Sequence, residues 1–387
     1  MRTRARIPIL EPTEMQPPAI CPYEDCQGRY FKMHQLKCDK HLRDTQVNHV
    51  VVYRQKCLSC GRTHRVYPKG VSNAHQSDRL KGISILFYIL GMSYRGVEDM
   101  LEALGNPLDH TTVYHNVQDA GAKVLTLRHA WLHRTDGKVS VVGGDLTYLQ
   151  CRGDKVALAV AVDAQTGVTL DIEIMENEET ETLKEWLHPL LELVGAEILV
   201  TDDQDSFKTL ADEAGVSHQI CRQHVTRNVL DFVAKTAERI LSSPPPVPEN
   251  LDTTPEQLLE DLALLEWIML GHPENASKLL AELYDRYANA RSPQKGRRAS
   301  LWYRMRNHVL RLWNNWHRYT CFYIDEHELA IPETNNATER VIGWTIKERY
   351  RTMRGYKREE SILNVGMLTA WLREEPNGRD MSLLFAS

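Results

Sequence analysis

Residues 139–150 read VSVVGGDLTYLQ, and residues 196–207 read AEILVTDDQDSF. The first is an apolar run into Asp145 that continues as an alternating strand. The second is a short buried strand ending in Asp202-Asp203. Between them, KVALAVAVDAQTGVTLDIEIM (155–175) gives two more strands around the turn at 163–167. ETETLKEWLHPLLELVG (179–195) gives an amphipathic helix that Gly195 ends. Three strands, a helix and a fourth strand predict an α/β core whose acids lie at strand positions or strand ends. If the first and fourth strands pair, Asp145 and Asp202 face each other across the sheet. Buried like charges cannot both stay ionised without a cation, and paired carboxylates suit Mg²⁺, a hard ion that prefers oxygen. Two such ions about 4 Å apart can clamp the attacking and leaving oxygens of a phosphodiester. A third carboxylate is needed.

It is found far downstream, in NNATERVIGWTIKERYRTMRGYK (335–357), where Glu339 opens a helix expected to be capped near Thr338 or Asn336. A carboxylate near a helix N-terminus is favoured electrostatically. The turns that follow carry Arg340, Lys347, Arg349, Arg351, Arg354 and Lys357, which would neutralise phosphate. A merely solvated charged helix explains the arginines but not their place after two strand-end aspartates. Asp203, and more remotely Asp205, are alternatives to Asp202 as the second acid.

Cys21-x4-Cys26 (CPYEDC) and Cys57-x2-Cys60 (CLSCGRT) lie near the N-terminus. Thiolates two to four residues apart on a turn can share one zinc, and two such turns close a tetrahedral site. This is a zinc-ribbon pattern over residues 1–70, and the nearby Arg62, Arg65 and Lys69 would grip DNA. A structural zinc with no binding role is the alternative. His34, Cys38 and His41 read more naturally as ordinary polar residues than as ligands. In 71–135, SDRLKGISILFYILGMSYRGVEDMLEALG gives two helices with Ser77 or Asp78 as the first cap, and a third helix opens at Asp109. The pattern is that of a helix-turn-helix, with Thr111, Thr112 and His115 at the start of its last helix. A plain helical linker fits almost as well.

The net charge of -5 hides local fields. Residues 1–70 carry about 13 basic and 6 acidic side chains, 291–320 about 8 basic and none acidic, and 249–290 about 9 acidic and 2 basic. Separate surfaces for separate partners follow. No apolar run approaches the ~18 residues of a membrane span, and the basic start is followed by no signal-type apolar region. The expectation is a cytoplasmic, nucleoid-associated protein.

These residues resemble those of bacterial insertion-sequence transposases of the DDE type, over roughly residues 140–372. GDLTYLQ, VTDDQDSF, CRQH and NNATERVIGWTIKERYRTMRG carry the likeness in their order. The resemblance implies a ribonuclease-H-like core, a mixed sheet flanked by helices, in two parts (136–230 and 333–387). An all-helical insertion (231–332), led by the stiff SPPPVPEN, separates them. It implies Asp145, Asp202 and Glu339 as the catalytic triad, holding two Mg²⁺ (or Mn²⁺) ions, alongside a structural Zn²⁺ on Cys21, Cys26, Cys57 and Cys60. It also implies that Cys221-x2-His224 buttresses the core near the second aspartate, with His224 in reach of DNA; as half of a zinc site this pair has no second close pair nearby. The implied partner is double-stranded DNA, element ends and target, bound by a dimer or larger assembly. In the insertion, Trp267, Met269, Trp302, Trp313 and Trp316 are expected in the core rather than as base-stacking platforms, the alternative being that one is exposed to flipped or hairpinned DNA. The stripe Leu258, Leu262, Leu265 and Ile268 is expected to pack internally or to meet a second chain. Two rival functions stand beside this one: a nuclease of the same fold that does not join strands, and a non-catalytic DNA-binding descendant of a transposase.

Overall fold

The computed structural model describes residues 4–134, 138–177, 179–323, 330–353, 355–374 and 378–386. Its first unit is a four-stranded antiparallel sheet of β1 (Glu11–Gln16), β2 (Phe31–His41), β3 (His49–Cys57) and β4 (Thr63–Lys69), in the order β1-β4-β3-β2. Three helices follow: α1 (Asp78–Ile89), α2 (Tyr94–Ala103) and α3 (His110–Leu132). Each starts on its own capping side chain, Ser77, Ser93 and Asp109, which accept the N–H groups of Leu80, Gly96 and Thr111.

Next come β5 (Val141–Cys151), β6 (Asp154–Asp163) and β7 (Thr169–Met175), an antiparallel meander. β8 (Ile198–Thr201) and β9 (Ser217–Ile220) add parallel to β5, giving the order β7-β6-β5-β8-β9. Helices α4 (Thr180–Val194) and α5 (Asp205–Ala214) make the crossovers. This is the ribonuclease-H-like arrangement, a mixed sheet flanked by helices. The strands lie between two apolar layers, and β6 shows it by alternation. Ala159 and Ala161 pack with Leu187 and Phe207 on one face, and Leu158, Val160 and Val162 pack with α1–α3 on the other. The three meander strands, the helix and β8 match the expectation from sequence. β9 went unforeseen because SHQI is too short to show a period.

α6 (Arg222–Ser242), α7 (Pro255–Gly271), α8 (Ala276–Tyr287) and α9 (Leu301–Tyr319) share one apolar cluster and form the insertion. Leu258, Leu262, Leu265 and Ile268 are all fully buried inside it, so this stripe packs within its own chain. Trp302 and Met269 are buried as expected, and Trp313 and Trp316 pack partly buried against the cluster. Trp267 departs from expectation at 52 % exposed, because it lies on the outer side of α7. The chain returns through α10 (Asn336–Val341), a π-helical turn (Ile342–Lys347), α11 (Glu348–Arg351) and α12 (Glu359–Glu374). α12 lies against α3 and β7.

The sequence pattern predicts the helices of 71–135 as a unit of their own. In the structure they share a single apolar cluster with β5–β7, α10 and α12, so packing shows no break at residue 135. The N-terminal sheet is tied to them through buried Asp44. That carboxylate accepts from the Ser77 hydroxyl (2.5 Å), from Arg79 Nε (3.0 Å) and from the N–H groups of Gln46 and Val47. No described helix is long and apolar enough to cross a membrane.

Candidate active site

The register of β5 on β8 pairs Val141 with Ile198, Val142 with Leu199 and Gly143 with Val200. Carried two residues further along parallel strands, it sets Asp145 level with Asp202. Asp145 is pushed up to about 7, first by burial, then by the nearby carboxylates of Asp202 and Glu339; the N–H of Leu146 and the His224 ring oppose the shift. Three acids that lie far apart in sequence therefore act on one another electrostatically.

Glu339 reaches this place because α10 is locked onto β5. Buried Asn335 donates its amide to the Gly144 carbonyl (3.0 Å) and accepts from the buried Thr338 hydroxyl (2.6 Å). A Cβ on Gly143 would collide with Thr338 Oγ1 and come within 3.3 Å of Asn335 Oδ1. Glycine at 143 is what lets the helix approach. The cap is thus Asn335, one residue before the expected Asn336. The π turn follows at once, with the Thr345 hydroxyl donating to the Val341 carbonyl; such turns recur at functional sites.

His224 and Cys221 sit at the start of α6, within 4.8 Å of Asp202 and Glu339 by one donor atom each. The Cys221 N–H donates to the Thr201 carbonyl at the end of β8 (2.8 Å), and Arg222 holds Glu333 through its backbone N–H (2.9 Å) and its side chain (2.7 Å). His224 Nδ1 lies 2.9 Å from Asp202 Oδ1 and 3.8 Å from Glu339 Oε1. The two closest atoms are buried, yet they are not aligned as a hydrogen bond. Asp203 is spoken for. Lys208 (2.6 Å) and Arg311 (2.8 Å) pair with it and the Tyr319 hydroxyl approaches at 3.3 Å, while Asp205 pairs with the same lysine at 2.9 Å. Of the three candidates at 202, 203 and 205, Asp202 alone shares a ligand cluster with Glu339. The donor set fits a divalent ion: oxygen ligands, one of them an orphaned buried atom, and an excess of negative charge that protonation otherwise relieves.

In the N-terminal unit, the sulfur atoms of Cys21 and Cys60 are 3.8 Å apart, as are those of Cys26 and Cys57, and all four lie within 4.8 Å of one another. Zn–S bonds of about 2.3 Å in a tetrahedron demand sulfur separations of about 3.8 Å. These residues fit zinc. Gly28 leaves room for them, since a Cβ there would lie 2.6 Å from Cys57 Sγ. His34, Cys38 and His41 lie along β2, outside the sulfur cluster.

The expected DNA contacts divide. Arg62 is engaged: it pairs with Asp25, stacks over Tyr23 at 4.2 Å, and its guanidinium pulls the Cys60 thiol down to about 6. Lys69 pairs with Glu14 at 3.3 Å, and Arg65 is exposed. Thr111 is exposed beside its cap Asp109, Thr112 is half-buried and His115 exposed. Lys347 is half-buried and Arg351 exposed. Arg349 is a correction. It is 3 % exposed, stacked 4.0 Å over Tyr88 and bonded to the Met92 carbonyl, so it fastens α11 to α1 rather than facing DNA. Arg354 lies outside the described residues. Sequence reading missed Asn335, Thr338 and Gly143 as positioning groups. The only available signal was a pair of polar residues beside the acid and a Gly-Gly inside a strand.

Among known proteins, residues 72–244 match the model described as transposase, Mutator family. That span contains Asp145 and Asp202, and Glu339 lies beyond it. No curated protein matches the chain. Among solved structures, the Drosophila P element transposase strand transfer complex is similar over 80% of this chain and 95% of that one, at 9% identity and a TM-score of 0.42. The magnesium-bound catalytic core of HTLV-2 integrase is similar over 34% of this chain and 86% of that one, at 17% identity and a TM-score of 0.19. Residues 72–244 are thus similar to a Mutator-family transposase domain, and they hold the sheet whose strand order is ribonuclease-H-like.

Proposed function

We propose that the protein binds the terminal repeats of an insertion sequence, cleaves the element ends and joins the freed 3′-hydroxyls to target DNA. The observation that carries this is the mutual influence of Asp145, Asp202 and Glu339, delivered by a strand, a strand end and a helix. Asp145, Asp202 and Glu339 would hold two Mg²⁺ ions, which supply a Lewis acid for the phosphodiester and a lowered pKa for the attacking water or hydroxyl. The chain's own part is to bring three carboxylates together and aim them, the bound cations favouring the ionised form that burial of Asp145 disfavours. Asn335 and Thr338 fix the helix that bears Glu339, and His224 Nδ1 lies beside Asp202 at 2.9 Å. Arg340, exposed one residue after Glu339 and lying over Trp344 at 5.6 Å, offers a cation to the phosphate backbone. Recognition of the ends falls to the zinc-bearing sheet and the start of α3. Joining two ends at one target needs two active sites at a fixed separation, so the working form is a dimer or larger.

The test is incubation of the full chain with DNA carrying its own flanking genomic ends and Mg²⁺. Strand-transfer products support the reading. Cleavage with no joining identifies a nuclease, and end-binding with neither identifies a DNA-binding descendant.

A further inference from the structure

Cys221 has no part in the chemistry proposed above, yet it belongs to the same cluster of donors. One atom each from Asp202, Cys221, His224 and Glu339 lies within 4.8 Å of all the others. The thiol is fully buried at the start of α6, a helix of 21 residues. Burial raises the thiol, and the backbone N–H groups of Asn335, His224 and Gln223 that point at its sulfur offset this only in part, so it is an ion that would draw out the thiolate. His224 Nδ1 and Asp202 Oδ1 are buried, close and without an aligned hydrogen bond, as two ligands of one ion would be.

We infer that this chain has a second zinc site, formed by Asp202, Cys221, His224 and Glu339, which overlaps the catalytic acids and shuts the enzyme off when occupied. The donor chemistry supports it. One thiolate, one imidazole and two carboxylates make a four-coordinate set for Zn²⁺, whereas Mg²⁺ takes oxygen and has no use for sulfur. A soft thiolate and an imidazole select zinc over magnesium. Binding requires the Cys221 proton to leave to solvent and Nδ1 to present its lone pair, with the ring proton on Nε2. Asp145 is not in the set. Zinc therefore takes two acids from the magnesium site and leaves the third unused, so the two modes exclude each other. The regulatory role rests on the transposase reading; the metal site itself does not.

Cobalt reports on it without DNA. The full chain, with its four-cysteine centre already filled with zinc, is titrated with Co²⁺ and followed by absorption. The expected result is one further equivalent per chain, with a thiolate-to-cobalt charge-transfer band. Cys221→Ser should abolish that band and weaken the affinity by about tenfold or more, at least the effect of losing a second-shell partner. Asp145→Asn should leave both intact. His224→Asn guards against misfolding of the cysteine variant: it should weaken binding comparably and change the cobalt d–d spectrum. Absence of the further equivalent overturns the inference, and so does a band that survives unchanged in Cys221→Ser, or cobalt affinity and spectrum unchanged in His224→Asn. Mg²⁺-supported cleavage is assayed separately. A chain that binds cobalt here but never cuts DNA refutes the transposase reading alone, and one that cuts without binding cobalt refutes this inference alone.

Discussion

At the scale of single residues, the acids differ by what surrounds them. Asp145→Asn, Asp202→Asn and Glu339→Gln each keep the shape and remove a charge. Each should lower cleavage by about 10²–10³-fold or more, the scale of losing one group that stabilises transition-state charge, with end-binding on a native gel nearly unchanged. Asp203→Asn should behave in the opposite way. It should retain cleavage but lose about 1–3 kcal/mol in urea unfolding, because Lys208 and Arg311 are left underpaired. Equal loss of cleavage in both aspartate variants would show that the assignment is wrong. Asp145 also gives a pH signature. Its folded value is about 7, against about 3.9 in an unfolded chain, so between those values the native state binds more protons and stability falls as pH rises. The metal-free protein should therefore lose Tm from pH 5 to 7.5 more steeply than Asp145→Asn does, and Mg²⁺ should flatten the difference. Asp145 was legible from alternation alone. The choice between Asp202 and Asp203 was not, since two of the three partners that claim Asp203, Arg311 and Tyr319, arrive from over a hundred positions away.

At the scale of elements, the helix bearing Glu339 is positioned by a lock that its own sequence only half reveals. Asn335→Ala leaves the Gly144 carbonyl buried without its donor, and Gly143→Ala drives a methyl into Thr338. The latter should cost about 1–3 kcal/mol as overpacking. Both variants should depress cleavage far more than end-binding; normal cleavage by folded Gly143→Ala protein would refute the lock. The run of arginines after Glu339 read as a DNA-facing helix because charge is visible in sequence and burial is not. Arg349 is the instructive case, a guanidinium held on Tyr88 from α1. No local pattern could announce that partner. The helix starts themselves were easily read, because Ser77 and Asp109 cap through their own side chains.

At the scale of the whole molecule, the sheet that carries the four-cysteine cluster and the helices that follow it are joined by Asp44. Removing that carboxylate leaves Arg79, whose side chain is 14% exposed, unpaired; Asp44→Ala should cost about 3–5 kcal/mol in chemical denaturation. Chelating zinc should abolish specific end-binding, and that binding should weaken steeply with salt. Retained specific binding after zinc removal would rule the ribbon out as the reader. A fragment ending near residue 135 would lay bare the apolar face that α3 turns to α12, a dependence invisible in sequence because the two helices are so distant. That separation matters while the chain is being made. At 5–20 residues per second, Asp202 leaves the ribosome roughly 7–30 s before Glu339, and α12, which α3 needs as its cover, comes later still. A nascent or prematurely terminated polypeptide thus has neither its third acid nor its finished core. On the proposed reading, DNA cleavage would become possible only after the ribosome has passed both Glu339 and α12.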